Sequence, residues 1–152
     1  MTQVTIRRIV VATDFSPPAN HALEYACALA EKFAAELHVL HVVVEPLPLP
    51  APDGAWIRPE NVVPGLVEEA RRDLARHTDG INLQAGSLVC SVEVGFPIEQ
   101  ILKYVADHQG DLIVLGTQGH RGLSRLLLGS VAEKIVRLAT CPVLTVHPPV
   151  NG

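Results

Sequence analysis

Four glycines in the last third of the chain form the pattern most suited to chemistry. They are Gly116, Gly119, Gly122 and Gly129, and the last is followed by Ser130 and an apolar, helix-like segment. Glycine lets the backbone approach a ligand closely, and successive N–H groups at a helix N-terminus attract anions. The stretch therefore predicts a phosphate site, although neither GxxxxGK[ST] nor GxGxxG is present.

A second polar loop, TDFS, follows the first predicted strand and contains Asp14. In doubly wound sheets, ligands lie beyond the carboxyl ends of the strands, where the strand order reverses. If the first and fourth strands flank that reversal, Asp14 and the glycine stretch meet there. Alternatively, Asp14 only caps the first helix, a role that Ser16 can also fill.

Several polar residues beside the glycines have two interpretations. Arg121 and Arg125 either neutralise phosphate charge or are solvated loop residues. His120 either contacts a phosphate or is simply exposed. Ser130 and Glu133 match the S-x-x-E capping box, which would explain both residues without any ligand. The two functions are compatible, because a capping serine presents its N–H where a phosphate would bind.

No catalytic residue and no metal site made by protein alone are predicted. His38 and His41 are three residues apart on a strand and therefore face opposite ways. The three cysteines, Cys27, Cys90 and Cys141, have no metal-type spacing. An Mg²⁺ or Mn²⁺ ion could nevertheless arrive with a nucleotide.

Length and composition indicate one compact domain. The chain has 152 residues, of which 48% are hydrophobic and 18% charged. A net charge of −4 argues against a broad nucleic-acid surface. The start of the chain turns polar too soon for a signal peptide, and no apolar run approaches a membrane span of about 20 residues. With its scattered cysteines, the chain is predicted to be cytoplasmic.

The elements that must position these loops alternate between strands and helices. Strands are predicted at RRIVVAT, ELHVLHVVVE, SLVCSVEVG, DLIVLG and CPVLTVH, and a segment with helical spacing of apolar residues follows each of the first four. This alternation predicts a single α/β domain with an open, parallel five-stranded sheet and helices on both faces. A proline-rich segment, residues 45–64, is predicted to be either a variable surface loop or a lid or partner surface.

The spacing G-x2-G-x9-G-S, from Gly116 to Ser130, resembles the G-2x-G-9x-G-[S/T] signature of ATP-binding universal stress proteins. The segments IVVATDFS, LHVLHVV and VGFPIEQI also resemble that family, so the resemblance covers nearly the whole chain, and residues 1–152 are expected to form one such domain. It implies a Rossmann-like sheet with strand order 3-2-1-4-5. It also implies a nucleotide-dependent role in stress response or signalling.

The same resemblance implies a role for each site residue. Asp14 would contact the ribose or lie beside the adenine, and Val42 would line the adenine slot. Gly116, Gly119, Gly129 and Ser130 would hold the phosphates of ATP, or of ADP or AMP, with the backbone of Thr13 and Leu115 alongside. His120, Arg121 and Val131, which adjoin these residues in the chain, complete the set of expected nucleotide contacts.

The last predicted strand, CPVLTVH, would lie at a sheet edge, and exposed apolar edges favour pairing. Universal stress proteins commonly pair through this strand. The chain is therefore expected to form a homodimer centred on Val143, Leu144, Thr145 and Val146.

Three other functions compete with nucleotide-dependent signalling. A slow ATPase would need a group that positions water near the γ-phosphate, and none is evident because Asp14 is assigned to the nucleoside end. A phospho-receiver would need acidic residues and a lysine where the chain reads TDFS, VGFP and VHPP, and it is excluded. A dimerisation module with a vestigial site would bind no nucleotide.

Overall fold

Strands and helices alternate along the chain as predicted. The computed structural model describes residues 1–118 and 128–150. In chain order the elements of this part are β1 (Arg8–Ala12), α1 (Pro17–Phe33), β2 (Glu36–Val43), β3 (Leu49–Pro50), β4 (Trp56–Ile57), α2 (Pro59–Thr78), β5 (Ser87–Val94), α3 (Pro97–Asp107), β6 (Leu112–Gly116), α4 (Ser130–Leu138) and β7 (Val143–Val146). No helix among them is both long enough and apolar enough to cross a membrane.

The main sheet is parallel throughout, with strand order β5-β2-β1-β6-β7. When only the five strands of this sheet are numbered along the chain, the order is 3-2-1-4-5, as predicted. Ile9 of β1 lies opposite Leu37 of β2 on one side and Leu112 of β6 on the other. The chain winds outward from β1 through β2 in one direction and from β6 in the other. The strand order therefore reverses between β1 and β6, where a ligand is expected.

Strand residues alternate between two hydrophobic clusters, one on each face of the sheet. Ile9 and Val11 pack on the face covered by α1 and α2, to which Leu74 of α2 contributes. Val10 packs on the opposite face, with Ile135 of α4 and residues of α3. Because both faces are covered, the central strands are apolar on both sides. The prediction of helices on both faces is confirmed.

The proline-rich segment contains more structure than a loop. Leu49 pairs with Ile57, and Pro50 with Trp56, in a short antiparallel hairpin. Helix α2 begins at Pro59, with the proline in the first turn, where its missing N–H costs no helical hydrogen bond. Residues 59–64, expected in the loop, are therefore helical. The loop prediction is wrong for the hairpin strands and for these residues.

Candidate functional site

A cavity of about 800 Å³ lies at the carboxyl ends of β1 and β6. Its volume is in the range of pockets that hold drug-sized ligands. Every predicted site residue that the structure describes lines this cavity: Thr13, Asp14, Val42, Leu115, Gly116, Gly129, Ser130 and Val131. The predicted residues Gly119, His120 and Arg121 lie outside the described residues, as do Gly122 and Arg125.

The loop after β1 forms one wall of the cavity and is held by Asp14. One carboxylate oxygen of Asp14 accepts hydrogen bonds from the backbone N–H of Ser16, over 3.0 Å, and from the Ser16 hydroxyl. The Ser16 hydroxyl oxygen in turn accepts from the N–H of Ala19 and caps α1. The structure thus confirms Ser16 as the cap. Asp14 both orders the entry to α1 and lines the cavity, so the two interpretations of this residue coexist.

Three aromatic side chains pack together at this loop, and none of them was predicted from the sequence as a site residue. Phe15 adopts a left-handed backbone conformation with φ of 64°, which is uncommon for a bulky residue. Its ring stacks on His41 of β2 at 4.4 Å between centroids and lies 4.7 Å from the ring of His77 of α2. Nδ1 of His41 donates to the carbonyl oxygen of Thr13 over 2.8 Å. These contacts fix the loop that carries Thr13 and Asp14.

The two described glycines of the signature each lie close to a backbone carbonyl oxygen. A Cβ atom at Gly116 would lie 3.0 Å from the carbonyl oxygen of Pro18, so close packing of β6 against α1 favours glycine there. A Cβ atom at Gly129 would lie 3.1 Å from the carbonyl oxygen of Thr117. Gly129 has φ of −58° and ψ of 153°, which other residues adopt readily. Glycine is therefore favoured there by the close approach of the Thr117 backbone and not by backbone freedom.

The N-terminus of α4 opens into the cavity. Gly129 is the N-cap, Ser130 is the first helical residue, and within the described residues no side chain caps the helix. The interpretation of Ser130 and Glu133 as a capping box is therefore wrong, because that motif needs Ser130 as the N-cap and the helix begins one residue earlier, at Ser130 itself. Glu133 instead lies 3.1 Å from Arg137 on the helix surface. The first N–H groups of α4 are available to an anion.

The described cavity wall is acidic. It includes three carboxylates, Asp14, Glu69 and Asp73, and the part of the wall that the structure describes contains no lysine or arginine. Asp73 is paired with Arg76. Leu66 and Ala70 accompany the two acidic residues that α2 contributes. The approach of α2 to the site was not predicted from the sequence.

The histidines on β2 face opposite ways, as predicted. His38 is buried on the α3 side, where its Nδ1 lies 2.7 Å from the Tyr104 hydroxyl and its Nε2 lies 2.5 Å from Glu36. A neutral imidazole that donates from Nε2 and accepts at Nδ1 satisfies both contacts. The hydrogen bond from His38 lowers the pKa of the Glu36 carboxyl, against the opposing effect of desolvation. Burial is the main cause of a raised pKa at Tyr104.

No cluster of three or more metal-ligating side chains occurs in residues 1–118 and 128–150. The three cysteines are free thiols. Burial raises the pKa of both Cys27 and Cys141, which makes these thiols less reactive.

Sequence comparison agrees with the fold. The model of the universal stress protein family matches residues 5–147. The chain belongs to the universal stress protein family. It is 35% identical over 147 residues to a universal stress protein of Methanocaldococcus jannaschii, covering 94% of this chain and 83% of the relative. It is 31% identical to universal stress protein YxiE of Bacillus subtilis, covering 92% and 98% respectively.

Solved structures of universal stress proteins share this architecture. The universal stress protein UspA from Lactobacillus plantarum superimposes with a TM-score of 0.80 at 26% identity, covering 95% of this chain and 99% of that one. A family member from Burkholderia pseudomallei has a TM-score of 0.72 at 27% identity, with 97% and 100% covered. The similarity therefore extends over nearly the whole chain.

Proposed function

We propose that this universal stress protein binds an adenine nucleotide, with ATP as the main ligand, and acts as a nucleotide-dependent stress-response or signalling module. A downstream partner would distinguish the nucleotide-bound state of the protein from its empty state. The observation that carries the proposal is the cavity, which brings the Asp14 loop and the N-terminus of α4 together where the strand order reverses.

The two ends of the cavity suit different parts of a nucleotide. Asp14 and Val42 are assigned to the ribose and adenine, beside the backbone of Thr13. The N–H groups at Ser130 and Val131 are assigned to the phosphates, with Gly129 beside them, because a helix N-terminus stabilises negative charge. Leu115 and Gly116 also line the cavity and are proposed to contact the nucleotide. Gly119, His120 and Arg121 are proposed to contact the phosphates.

Structures with the same fold support an adenine nucleotide as the ligand class. One universal stress protein was solved in complex with cAMP, and one from Archaeoglobus fulgidus in complex with dAMP. They have 22% and 21% identity to this chain and TM-scores of 0.65 and 0.61, so the likeness is one of fold. The fold can therefore hold this class of ligand.

ATP is proposed to bind with a divalent cation, Mg²⁺ or Mn²⁺, that arrives with the nucleotide. The three carboxylates in the described wall would repel a bare triphosphate, whereas a metal complex carries less negative charge. Removal of divalent ions with EDTA should therefore weaken ATP more than AMP. Equal affinities with and without Mg²⁺ would contradict this part of the proposal.

Mass analysis of the small molecule released on denaturing freshly purified protein tests the proposal most directly. Recovery of ATP, ADP or AMP, together with calorimetric binding of ATP to the stripped protein, is the expected result. Absence of any nucleotide, with no binding of ATP, ADP or AMP at millimolar concentration, would favour a dimerisation module with a vestigial site. Accumulation of ADP or AMP during incubation with ATP would instead indicate an ATPase, and any such hydrolysis is expected to be slow.

The proposal includes a homodimer formed through β7, the terminal strand of the sheet, with Val143, Leu144, Thr145 and Val146 at its centre. The first three of these residues are half-buried within one chain, so a partner strand would cover further apolar surface. The cytoplasm is proposed as the location, because it supplies adenine nucleotides and keeps cysteines as free thiols.

A further inference from the structure

Phe15 has a strained backbone conformation beside the candidate site. Its φ of 64° lies in the left-handed region, which bulky side chains rarely adopt. Two other described residues, Ala34 and Gln109, also have positive φ without being glycine, but they lie at the ends of α1 and α3, where such residues are common. Phe15 instead precedes a helix, and it lines the cavity. Strain of this kind persists only where neighbouring contacts enforce it, and it is concentrated at functional sites.

The contacts that enforce this conformation come from two histidines. His41 of β2 stacks on the Phe15 ring, and His77 of α2 lies 4.7 Å from it with the planes tilted by 41°. Both histidines are anchored to the backbone. Nδ1 of His41 donates to the carbonyl oxygen of Thr13 over 2.8 Å, and Nδ1 of His77 donates to that of Asp73 over 2.9 Å. The three rings of Phe15, His41 and His77 form what we call the Phe15 cluster.

The backbone of Phe15 connects this cluster to the Asp14 carboxylate. The N–H of Phe15 donates to the Thr13 hydroxyl over 3.0 Å, and Ser16 donates to Asp14 from its N–H and its hydroxyl. Rotation about the N–Cα bond of Phe15 would turn Asp14 away from Ser16 and from the start of α1. The Phe15 cluster therefore holds Asp14 in the cavity wall.

His77 lies at the outer end of the cluster. Phe15 and His41 line the cavity, whereas His77 does not belong to its described lining and is exposed on α2. Its ring contacts Phe15, which precedes the residue that caps α1. His77 is therefore placed to affect a bound nucleotide through the Asp14 loop without touching the ligand.

We infer that His77 is a positioning residue for nucleotide binding, because its contact with Phe15 keeps the Asp14 loop in the binding conformation before the ligand arrives. The inference rests on the proposed function, in which Asp14 contacts the nucleoside, and deepens it by linking α2 to that contact. A loop that is in the binding conformation only part of the time weakens all its ligands by the same fraction. Loss of the His77 ring should therefore lower the affinities for ATP and AMP by one common factor.

The test compares ATP and AMP in calorimetric titrations of the full chain with Mg²⁺ present. His77→Ala is expected to weaken both ligands about fivefold, the usual contribution of an aromatic pair. His77→Phe keeps an aromatic ring and should bind both within about twofold of the parent protein. His21→Ala is the matched control, because His21 is also a helix residue that packs on an aromatic ring, that of Tyr25 at 5.2 Å, outside the described lining of the cavity. It should leave both affinities unchanged.

Variants of Phe15 separate its ring from its backbone. Phe15→Ala and Phe15→Gly both remove the ring, but glycine adopts a positive φ without strain. We expect Phe15→Ala to weaken ATP and AMP about thirtyfold and Phe15→Gly only about tenfold. If alanine at this position is tolerated as well as glycine, the left-handed conformation has no role in binding, and the inference is wrong.

A double variant distinguishes positioning from a general loss of packing. In the Asp14→Ala protein the contact that His77 positions is already absent, so His77→Ala should weaken ATP less than twofold there. An equal loss in the two backgrounds would show that His77 acts without Asp14.

Two further results would overturn the inference. If His77→Ala binds ATP and AMP as tightly as the parent protein, the inference fails while the proposed function stands. If His77→Ala weakens ATP but not AMP, the effect is at the phosphates and not at the Asp14 loop. If the parent protein binds neither nucleotide, the proposed function and the inference fail together.

Discussion

The backbone N–H of Gly129 donates a hydrogen bond to the carbonyl oxygen of Thr117 over 2.6 Å. This bond joins the entrance of α4 to the end of β6, so the first and last parts of the glycine signature lie side by side. It also holds the first turn of α4 at the carboxyl end of the sheet, where the loop after β1 carries Asp14. A substitution at position 129 therefore changes the helix entrance and the cavity wall together.

Gly129→Val is expected to fold and to lose most of its affinity for ATP. The backbone conformation of Gly129 suits a β-branched residue, but the added side chain would occupy space next to Thr117 and the proposed phosphate position. Loss of one or two hydrogen bonds to a charged group, worth about 1.5–3 kcal/mol each, weakens binding at least tenfold to a hundredfold. Calorimetry on the folded variant measures the loss.

Gly129→Ala is the graded control for this prediction, and it should lie between the parent protein and the valine variant. Ser130→Ala should weaken ATP less than either, because the N–H of residue 130 remains. If Gly129→Val binds ATP as tightly as the parent protein, the glycine serves only the junction with Thr117, and the phosphate assignment is wrong.

Asp14→Ala is expected to weaken ATP, ADP and AMP by similar factors, because Asp14 is assigned to the nucleoside end. The same change should lower the free energy of unfolding by about 1–2 kcal/mol, since Asp14 accepts from the N–H and hydroxyl of Ser16. Asp14→Asn separates the two effects, because its amide oxygen can still accept from Ser16. Calorimetry and urea denaturation measure them. A loss confined to ATP would place Asp14 at the phosphates instead.

Much of the fold could be predicted, because its signals are local. Five apolar runs and four amphipathic segments define the alternation, and the capping of α1 by Ser16 follows from the residue types. The strand order came from the family resemblance, since alternation alone does not determine it. The hairpin was missed because its strands are only two residues long and lie among prolines. Its turn signal, Asp53-Gly54, was present: Gly54 has φ of 83°.

The site was less predictable, because it depends on contacts between distant segments. The two loops could be placed together from the strand reversal. The approach of Glu69 and Asp73 from α2 could not be predicted, since it depends on how that helix crosses the sheet. The same holds for the stacking of Phe15 on His41. Thr117 also lines the cavity, directly after a buried strand, and was not predicted as a site residue.

Glu36→Gln should lower stability at neutral pH and have little effect in acid. His38 lowers the pKa of the Glu36 carboxyl, so the ionised form stabilises the folded chain. That contribution is present above the unfolded pKa of about 4.3 and is lost as the pH falls through the lower folded value. The Glu36 side chain is 38% exposed, so the difference at pH 7 should stay below about 1 kcal/mol. Denaturation of the parent protein and of Glu36→Gln at pH 7 and pH 3 measures the difference in their free energies of unfolding. An equal difference at both pH values would show that ionised Glu36 does not stabilise the folded chain.

The fluorescence of Trp56 should not change at saturating ATP. Trp56 is 61% exposed on β4, and no residue of the hairpin is among the described residues that line the cavity. The hairpin should therefore remain a surface feature when nucleotide binds. Trp56 is the only tryptophan, so its emission reports on this segment alone. A blue shift on addition of ATP would support the alternative, in which the segment closes over the site as a lid.

The open edge of β7 should mediate dimerisation, and backbone alternation identifies the residues to change. The carbonyls of Pro142 and Val146 accept from β6 and from Thr117, over 3.0 Å in both cases. Backbone groups alternate in direction along a strand, so Leu144 also faces β6, whereas Val143 and Thr145 face the open edge.

Thr145→Pro therefore removes an N–H from the proposed dimer interface and leaves the pairing with β6 intact, as edge strands tolerate proline. We expect light scattering at micromolar concentration to give a dimer for the parent protein and a monomer for this variant, with an unchanged circular dichroism spectrum. Leu144→Pro is the matched comparison, and it should lower the melting temperature because it breaks the β6–β7 ladder itself. A monomeric parent protein, or a folded Thr145→Pro variant that dimerises as tightly as the parent, would show that β7 is not the interface.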